Sequence, residues 1–334
     1  MSENFISVDS VFKRFNPRAS LGDQIASALG GAVERRAVQA VDGVSLQVAR
    51  GEVLGLVGES GCGKSTLGRM IAGILPPTSG AVTLDGKPMM SPGRNPRKQT
   101  TRVQMVFQDP YASLDPRMRV GEIVGEGPIV HRLVIRAESR AYVENWLAKV
   151  GLEADAASRY PHQFSGGQRQ RIAVARALAM QPDALVCDEP VASLDVSIQA
   201  QVLNLFLRLR RELGLTMLFI SHHLGVVRHV SDRVAIMYLG RIVEIGAAEA
   251  IYNDPQHPYT KALLASVPRL VLEDGVDVNF KPIQGELPSP LSPPPGCHFH
   301  LRCPLAEARC HIEIPTLRDI GAGRRAACHL LPSL

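Results

Sequence analysis

The chain has 334 residues, enough for one large domain with an extension or for two medium domains. Its 45% hydrophobic content supports a full core, and a net charge of +5 suits nucleotide phosphates or an anionic membrane surface, and equally no partner at all. No apolar run of about 18 residues occurs, which excludes a membrane span, and Met1–Ser10 carries acids without an apolar signal region, which argues against export.

Up to about residue 245, short apolar strands alternate with helical patterns, as in a parallel or mixed sheet covered by helices, so the fold class is α/β. Strands are predicted at Val53–Val57, Val103–Phe107, Ala184–Asp188, Thr216–Ser221 and Val234–Tyr238. Each is a near-continuous apolar run, which fits a sheet buried on both faces. A helix is predicted from Gly63 to Ile74, soon after the first strand. Between Asp109 and Ser165 the periodicity turns helical. Val143, Trp146, Leu147 and Val150 fall at i, i+3, i+4 and i+7 and make one apolar stripe, so a helical subdomain at about 110–165 is inserted between two strands, its stripe facing the core. Residues 17–37 read as a surface loop or short helix. After Gly246 two short helical patterns follow, then Pro282, Pro288, Pro290 and Pro293-Pro294-Pro295, an extended connector into a cysteine-rich end. The division is 1–245 and 246–334.

Gly58-Glu59-Ser60-Gly61-Cys62-Gly63-Lys64-Ser65 fits G-x-x-x-x-G-K-[ST] between a predicted strand and a helix that continues through Thr66. Glycines there let backbone N–H groups turn inward around phosphate oxygens, and the helix N-terminus adds its dipole, worth up to ~2 kcal/mol when partly buried. Lys64 is expected to reach the β and γ phosphates and the Ser65 hydroxyl to ligate Mg²⁺. Downstream, the strand Ala184–Asp188 ends in two carboxylates. Asp188 is the candidate to hold Mg²⁺ through its water shell and Glu189 the candidate general base, a role worth about 10²–10⁴ in rate. Cys187 and Cys62 read as small space-filling residues.

The next motif chooses among phosphate-loop ATPases. Phe164-Ser165-Gly166-Gly167-Gln168-Arg169-Gln170-Arg171, opening a helix to about Met180 with Ser165 as N-cap, resembles the signature sequence of ABC ATPases, with Phe164 where Leu is commoner. The resemblance implies a phosphate-loop ABC ATPase core with a mixed sheet, and a signature (Ser165, Gly166, Gly167, Gln168) that faces ATP held by an opposite subunit. It further implies that Gln108 senses Mg²⁺ and the permease, that the Ser193-Leu194-Asp195 loop passes between subunits with Asp195 near nucleotide, that His222 contacts the γ-phosphate, and that Phe15 stacks on adenine. Asp109–Pro116, Asp188–Ser197, His257-Pro258-Tyr259-Thr260 and Gly285–Leu291 look like the dipeptide/oligopeptide importer subfamily; the Ser-Gly-Gly-Gln signature and Thr66-Leu67-Gly68-Arg69 resemble its F-type subunit. Implied partners are a D-type ATPase subunit, two transmembrane permease subunits and an extracytoplasmic solute-binding protein, with no nucleic acid and a peripheral place on the cytoplasmic face of the membrane. His223 departs from the usual Asp, which leaves Ser221 to substitute in capping the next helix.

Six cysteines occur, four of them at the end: Cys297, Cys303, Cys310 and Cys328. Without a secretion signal, metal ligation is a stronger reading than a disulfide framework. The spacing does not fit paired C-x-x-C, and His298, His300, His311 and His329 leave mixed ligation open. The subfamily resemblance implies a 4Fe–4S cluster, with zinc or free packing thiols as alternatives. Two other functions compete with transport: a soluble ABC ATPase acting on DNA or ribosomes, and an ATP-binding redox sensor. The first typically shows long coiled coils or duplicated ATPase domains, absent here; the second needs no Asp188, Glu189 and His222.

Overall fold

The computed structural model describes residues 4–16, 37–266 and 283–331. The loop or short helix expected at residues 17–37 lies outside these apart from Ala37, and so does Pro282. In chain order the strands are β1 (Asn4–Phe15), β2 (Val38–Ala49), β3 (Val53–Val57), β4 (Ser79–Leu84), β5 (Lys87–Pro88) and β6 (Val103–Val106). They continue with β7 (Ala184–Asp188), β8 (Thr216–Ser221), β9 (Arg233–Tyr238), β10 (Arg241–Ala247), β11 (Arg318–Asp319) and β12 (Arg325–Ala326).

Two sheets result. The smaller is antiparallel, in the order β2-β1-β4-β5. The larger runs β11-β12-β10-β9-β3-β8-β7-β6. Its middle is parallel, with β3 between β8 and β9 and β7 between β8 and β6. Alternate residues of these strands enter different cores. Leu54 and Leu56 of β3, Leu218 and Ile220 of β8, and Ala235 and Met237 of β9 join a core closed by the antiparallel sheet and by Leu67, Met70 and Ile71 of the helix Lys64–Ile71. Val53 and Val57, Met217 and Phe219, and Val234 and Ile236 join the opposite core, under the remaining helices. A strand that must be apolar on both faces shows no period-2 alternation, which accounts for the unbroken hydrophobic runs.

The segment between β6 and β7 is helical: Pro110–Ser113, Val120–Val130 and Ser139–Lys149, then two 3-10 turns, then the helix Gly166–Leu178. Val143, Trp146, Leu147 and Val150 are all buried and belong to the core they were expected to face. Each such burial is worth roughly 1.5–3 kcal/mol. Among the described residues no helix is long and apolar enough to cross a membrane.

The alternation does not simply end at Gly246. After the helices Ala248–Asn253 and Pro258–Ala265 and an irregular stretch through the prolines, β12 pairs antiparallel with β10 (Glu244 opposite Ala326) and β11 pairs with β12. The end of the chain thus widens the main sheet by two short strands. Its Phe299 enters the large core against Tyr238 of β9 and Tyr259 of the helix Pro258–Ala265, with ring centroids 5.3 and 5.4 Å away.

His257 caps that helix from a buried position. Its Nδ1 accepts the Tyr259 N–H at 3.0 Å, while its backbone N–H donates to Glu244 Oε2 at 2.9 Å. Burial lowers its pKa from 6.5 to about 3, and a proton on Nδ1 would also remove the capping acceptor. The unfolded chain therefore takes this proton first: the contribution is complete above pH 6.5 and is lost as pH falls from 6.5 towards 3, by at most about 1.4 kcal/mol per unit. Buried Glu244, whose pKa is raised by desolvation, acts with the opposite sign, so a variant comparison isolates the histidine. Denaturant titrations should show His257→Asn losing less stability than wild type between pH 6.5 and 5, by up to about 2 kcal/mol; parallel curves would remove His257 as the acid-sensitive group.

Candidate active site

Parallel register brings β3, β6, β7 and β8 to one edge of the sheet, where loops after parallel strands form binding sites. The residues after β3 form a tight loop before the helix Lys64–Ile71. Gly63 is left-handed (φ 107°), and a Cβ on it would lie 2.1 Å from Ala40 O; one on Gly58 would lie 2.1 Å from Met237 O. No larger residue fits either place, so the glycines expected to open the loop to phosphate also let it nest against β2 and β9. Cys62 beneath is fully buried, and burial pushes its thiol pKa up, as befits a space-filling residue; Cys187 in β7 is likewise buried and its thiol is likewise pushed up. Lys64 is only 4% exposed, and its Nζ donates to Gly58 O at 2.8 Å and Glu59 O at 3.0 Å, so the ammonium lies across the loop it follows.

Ser65 Oγ donates to Asp188 Oδ1 at 2.8 Å, joining the first turn of that helix to the end of β7. Asp188 is buried; desolvation raises its pKa, and the Ser65 hydrogen bond works against that rise. One residue on, Glu189 adopts a left-handed backbone (φ 46°), held by its N–H to Ile220 O at 2.9 Å. A non-glycine residue in that region costs of order 1–3 kcal/mol and persists only where its surroundings hold it. The twist aims the side chain at two of the other expected residues. Gln108 Nε2 and His222 Nδ1 each lie 3.0 Å from the same Glu189 oxygen, Oε2. Sequence separations of 81 and 33 residues thus close onto one carboxylate.

His223 N-caps the helix Leu224–Val230 without a side-chain hydrogen bond; Ser221 Oγ accepts the His223 N–H at 3.0 Å. Ser221 therefore takes up one amide at this end, but it is not the cap itself. Desolvation lowers the His223 pKa, with the neighbouring His222 adding to the effect.

Ser165 caps the helix Gly166–Leu178 as expected. Its Oγ accepts the Gln168 N–H at 3.3 Å and Gln168 Oε1 accepts the Ser165 N–H at 3.0 Å, a reciprocal capping box. The glycines beside it meet the helix Val196–Leu213 and the loop before it: a Cβ on Gly167 would lie 2.5 Å from Ile198 Cγ2, and one on Gly166 3.5 Å from Leu194 Cδ2. Gly167 thus has a packing reason besides the approach of a ligand. Asp195 begins the helix Val196–Leu213 without a side-chain cap and is exposed. Phe15, the last residue of β1, is 41% exposed, with Lys13 Nζ 5.4 Å from its ring centre. Ser60 and Gly61 are exposed at the loop's rim, and Thr66 is half-buried in the helix.

The four tail cysteines come together. The Cys297 N–H donates to Cys310 O at 2.9 Å, and burial, reinforced by the other three thiols, pushes Cys297 up to about 11. Four thiols suit a thiolate-bound metal in kind. Among the described residues, however, no three His, Cys, Asp or Glu side chains are arranged to hold a metal ion. Nor do the nearby histidines join the cysteines in such a group among the described residues; His298 Nδ1 lies 3.2 Å from Leu239 O, His300 Nδ1 2.8 Å from Cys297 O, and His329 Nε2 2.9 Å from Glu313 O. Two residues not expected at the site, Tyr259 of the importer-like His257–Thr260 run and Arg302, which carried no sequence signal, reach the Gly58–Ser65 loop. Tyr259 Oη accepts the Glu59 N–H at 3.0 Å, and Arg302 contacts the Glu59 carboxylate.

Residues 41–192 match the ABC transporter family, and residues 243–310 match the oligopeptide/dipeptide transporter C-terminal region. The oligopeptide transport ATP-binding protein AppF of Bacillus subtilis is 49% identical over 88% of this chain and 90% of its own length. The di/tripeptide transport ATP-binding protein DppF of Pseudomonas aeruginosa is 50% identical over 87% of this chain and 90% of its own. Among solved structures, CbiO1 of Clostridium perfringens, part of an ABC transporter complex, superimposes with a TM-score of 0.59 at 28% identity, over 75% of this chain and 92% of its own. An ATP-binding cassette solved as a dimer in a post-hydrolysis state with ADP and phosphate gives 0.58 at 25% identity, over 73% and 98%. With the parallel sheet, the phosphate loop and the Asp188–Glu189 pair in place, the chain belongs to the ABC transporter ATP-binding proteins of the oligopeptide/dipeptide type.

Proposed function

We propose that this chain hydrolyses MgATP to power import of di- or oligopeptides through a separate membrane permease. The observation that carries the reading is the convergence of Gln108 and His222 on Glu189 Oε2, one residue beyond the Asp188 carboxylate that holds Ser65. In this reading the loop N–H groups and Lys64 take the phosphates, the ammonium exchanging the Gly58 and Glu59 carbonyls for phosphate oxygens. Ser65, Asp188 and Gln108 are all oxygen donors and would hold Mg²⁺, which when bound neutralises charge on the β and γ phosphates. Glu189 takes the proton of the attacking water, and as a carboxylate it accepts hydrogen bonds from Gln108 and His222 that fix its orientation. A complete hydrolytic set disfavours an ATP-binding redox sensor, and the names of the relatives favour import over action on DNA or ribosomes.

The partners follow from the same reading: a D-type ATPase subunit whose nucleotide faces Ser165–Gln168, two permease subunits, and an extracytoplasmic solute-binding protein. A groove of about 800 Å³ lined by Phe107, the residue before Gln108, with Gln104, Glu126, His131 and Arg176, offers the permease a place to dock. In this reading the chain sits peripherally on the cytoplasmic face of the membrane, bound to the permease subunits. Domain roles divide at about residue 245, with 246–334 as the importer-type extension.

In the assembled transporter, Glu189→Gln should bind MgATP as wild type does and lose about 10²–10⁴ of turnover, whereas Lys64→Ala should lose binding. Near-normal hydrolysis by Glu189→Gln would overturn the assignment.

For the tail we propose a 4Fe–4S cluster on Cys297, Cys303, Cys310 and Cys328, supported by the influence of the other three thiols on Cys297. Anaerobically purified protein should then be brown with roughly four irons per chain, and lose them on any single Cys→Ser change. One tightly held zinc would replace the cluster with a zinc site; metal-free protein with four titrating thiols would remove both.

A further inference from the structure

Glu59 places a carboxylate inside the loop assigned to the triphosphate, where an uncompensated anion opposes anion binding. The compensating charge comes from the far end of the chain. Arg302, 243 positions away, points Nη1 at both carboxylate oxygens, 2.9 Å from Oε1 and 3.1 Å from Oε2, and its side chain is 4% exposed. The same Nη1 is 3.4 Å from Tyr238 Oη, and Nε donates to Gln284 O at 3.2 Å. The Glu59 amide is held as well, by Tyr259 Oη. Tyr238 and Tyr259 lie 4.6 Å apart, ring to ring, and both meet Phe299, so the contacts rest on a packed aromatic footing. Arg302 itself ends the 3-10 turn His300–Arg302 that follows Phe299.

We propose that Arg302 is a positioning residue of the phosphate loop: it neutralises Glu59 and pins it to the C-terminal extension, so that the loop presents amides and Lys64, not a carboxylate, to the nucleotide. Nearly buried charges are weakly screened, so the effect should persist at physiological salt. It acts through charge, which separates it from a residue that merely braces the tail. The loss on removing Arg302 must grow with the phosphate charge of the ligand and must vanish when Glu59 is made neutral.

The test uses the full chain and a fluorescent ATP analogue. Arg302→Gln should weaken binding about tenfold, or about 1.4 kcal/mol, with a smaller loss for the corresponding ADP analogue. Adding Glu59→Gln on that background should recover most of the loss, and Arg302→Lys should lose less than Arg302→Gln. A double variant as weak as Arg302→Gln, or Arg302→Gln binding as wild type does, overturns the proposal. If Arg302→Gln alone does not fold, near-wild-type affinity in both Arg302→Lys and the double variant supports it, and lost affinity in both overturns it. The inference rests on reading Gly58–Ser65 as the phosphate loop, and Lys64→Ala tests that separately. Retained affinity there sinks the loop reading; lost affinity there with Arg302→Gln unaffected sinks the inference alone.

Discussion

Parallel pairing of β3, β8, β7 and β6 is the constraint on which the rest of the molecule depends. Strands hydrogen-bonded in parallel must all end at the same edge, so the loop after β3, Gln108 after β6, the carboxylates at the end of β7 and His222 after β8 are delivered to one place. The register is exact enough for chemistry because both faces of these strands are buried. A slip of one residue would exchange the Leu54 and Leu56 face of β3 with the Val53 and Val57 face, and each face fills a different core. Packing thus sets the positions of polar side chains that themselves contribute little to the core.

The cost of the site sits where the sheet hands over to the loops. Asp188 is a buried carboxylate whose charge burial disfavours, and Glu189 holds a backbone angle that its own Cβ resists. Both are restrained by neighbours whose positions the sheet determines: Ser65 for Asp188, and Ile220 O, Gln108 and His222 for Glu189. A divalent cation would suit this pair of carboxylates, since positive charge relieves the desolvation that Asp188 bears.

How much of this was legible in the sequence follows the range of each interaction. The phosphate loop could be read because backbone recognition of phosphate demands glycine at fixed spacing, and the structure gives Gly58 and Gly63 no room for anything larger. The strands could be read because their burial is two-sided. Ends were less visible: the first helix stops at Ile71, not Ile74, and β6 at Val106, not Phe107, since capping and fraying shift boundaries by a residue or two without altering the apolar pattern. β11 and β12 carry two residues each, too short for any period, and exist because β10 offers an edge to pair with. Cys62 and Cys187 are buried, as small fillers should be, and among the described residues the tail forms no mixed Cys/His site; His298, His300 and His329 each hold one ring nitrogen against a backbone carbonyl.

The extension is where sequence proximity misleads most. Placed after a proline-rich stretch, it reads as an appendage, yet it supplies two strands to the main sheet and Phe299 to the main core, with Tyr259 and Arg302 on the phosphate loop. An element that merely trailed the ATPase could be lost without touching nucleotide. This one holds the Glu59 amide through Tyr259 and its carboxylate through Arg302, so any rearrangement of the tail must either break those contacts or carry the loop with it. Contact between the extension and the Gly58–Ser65 loop is therefore a consequence of packing, because Tyr238, Tyr259 and Phe299 join them in one close-packed interior.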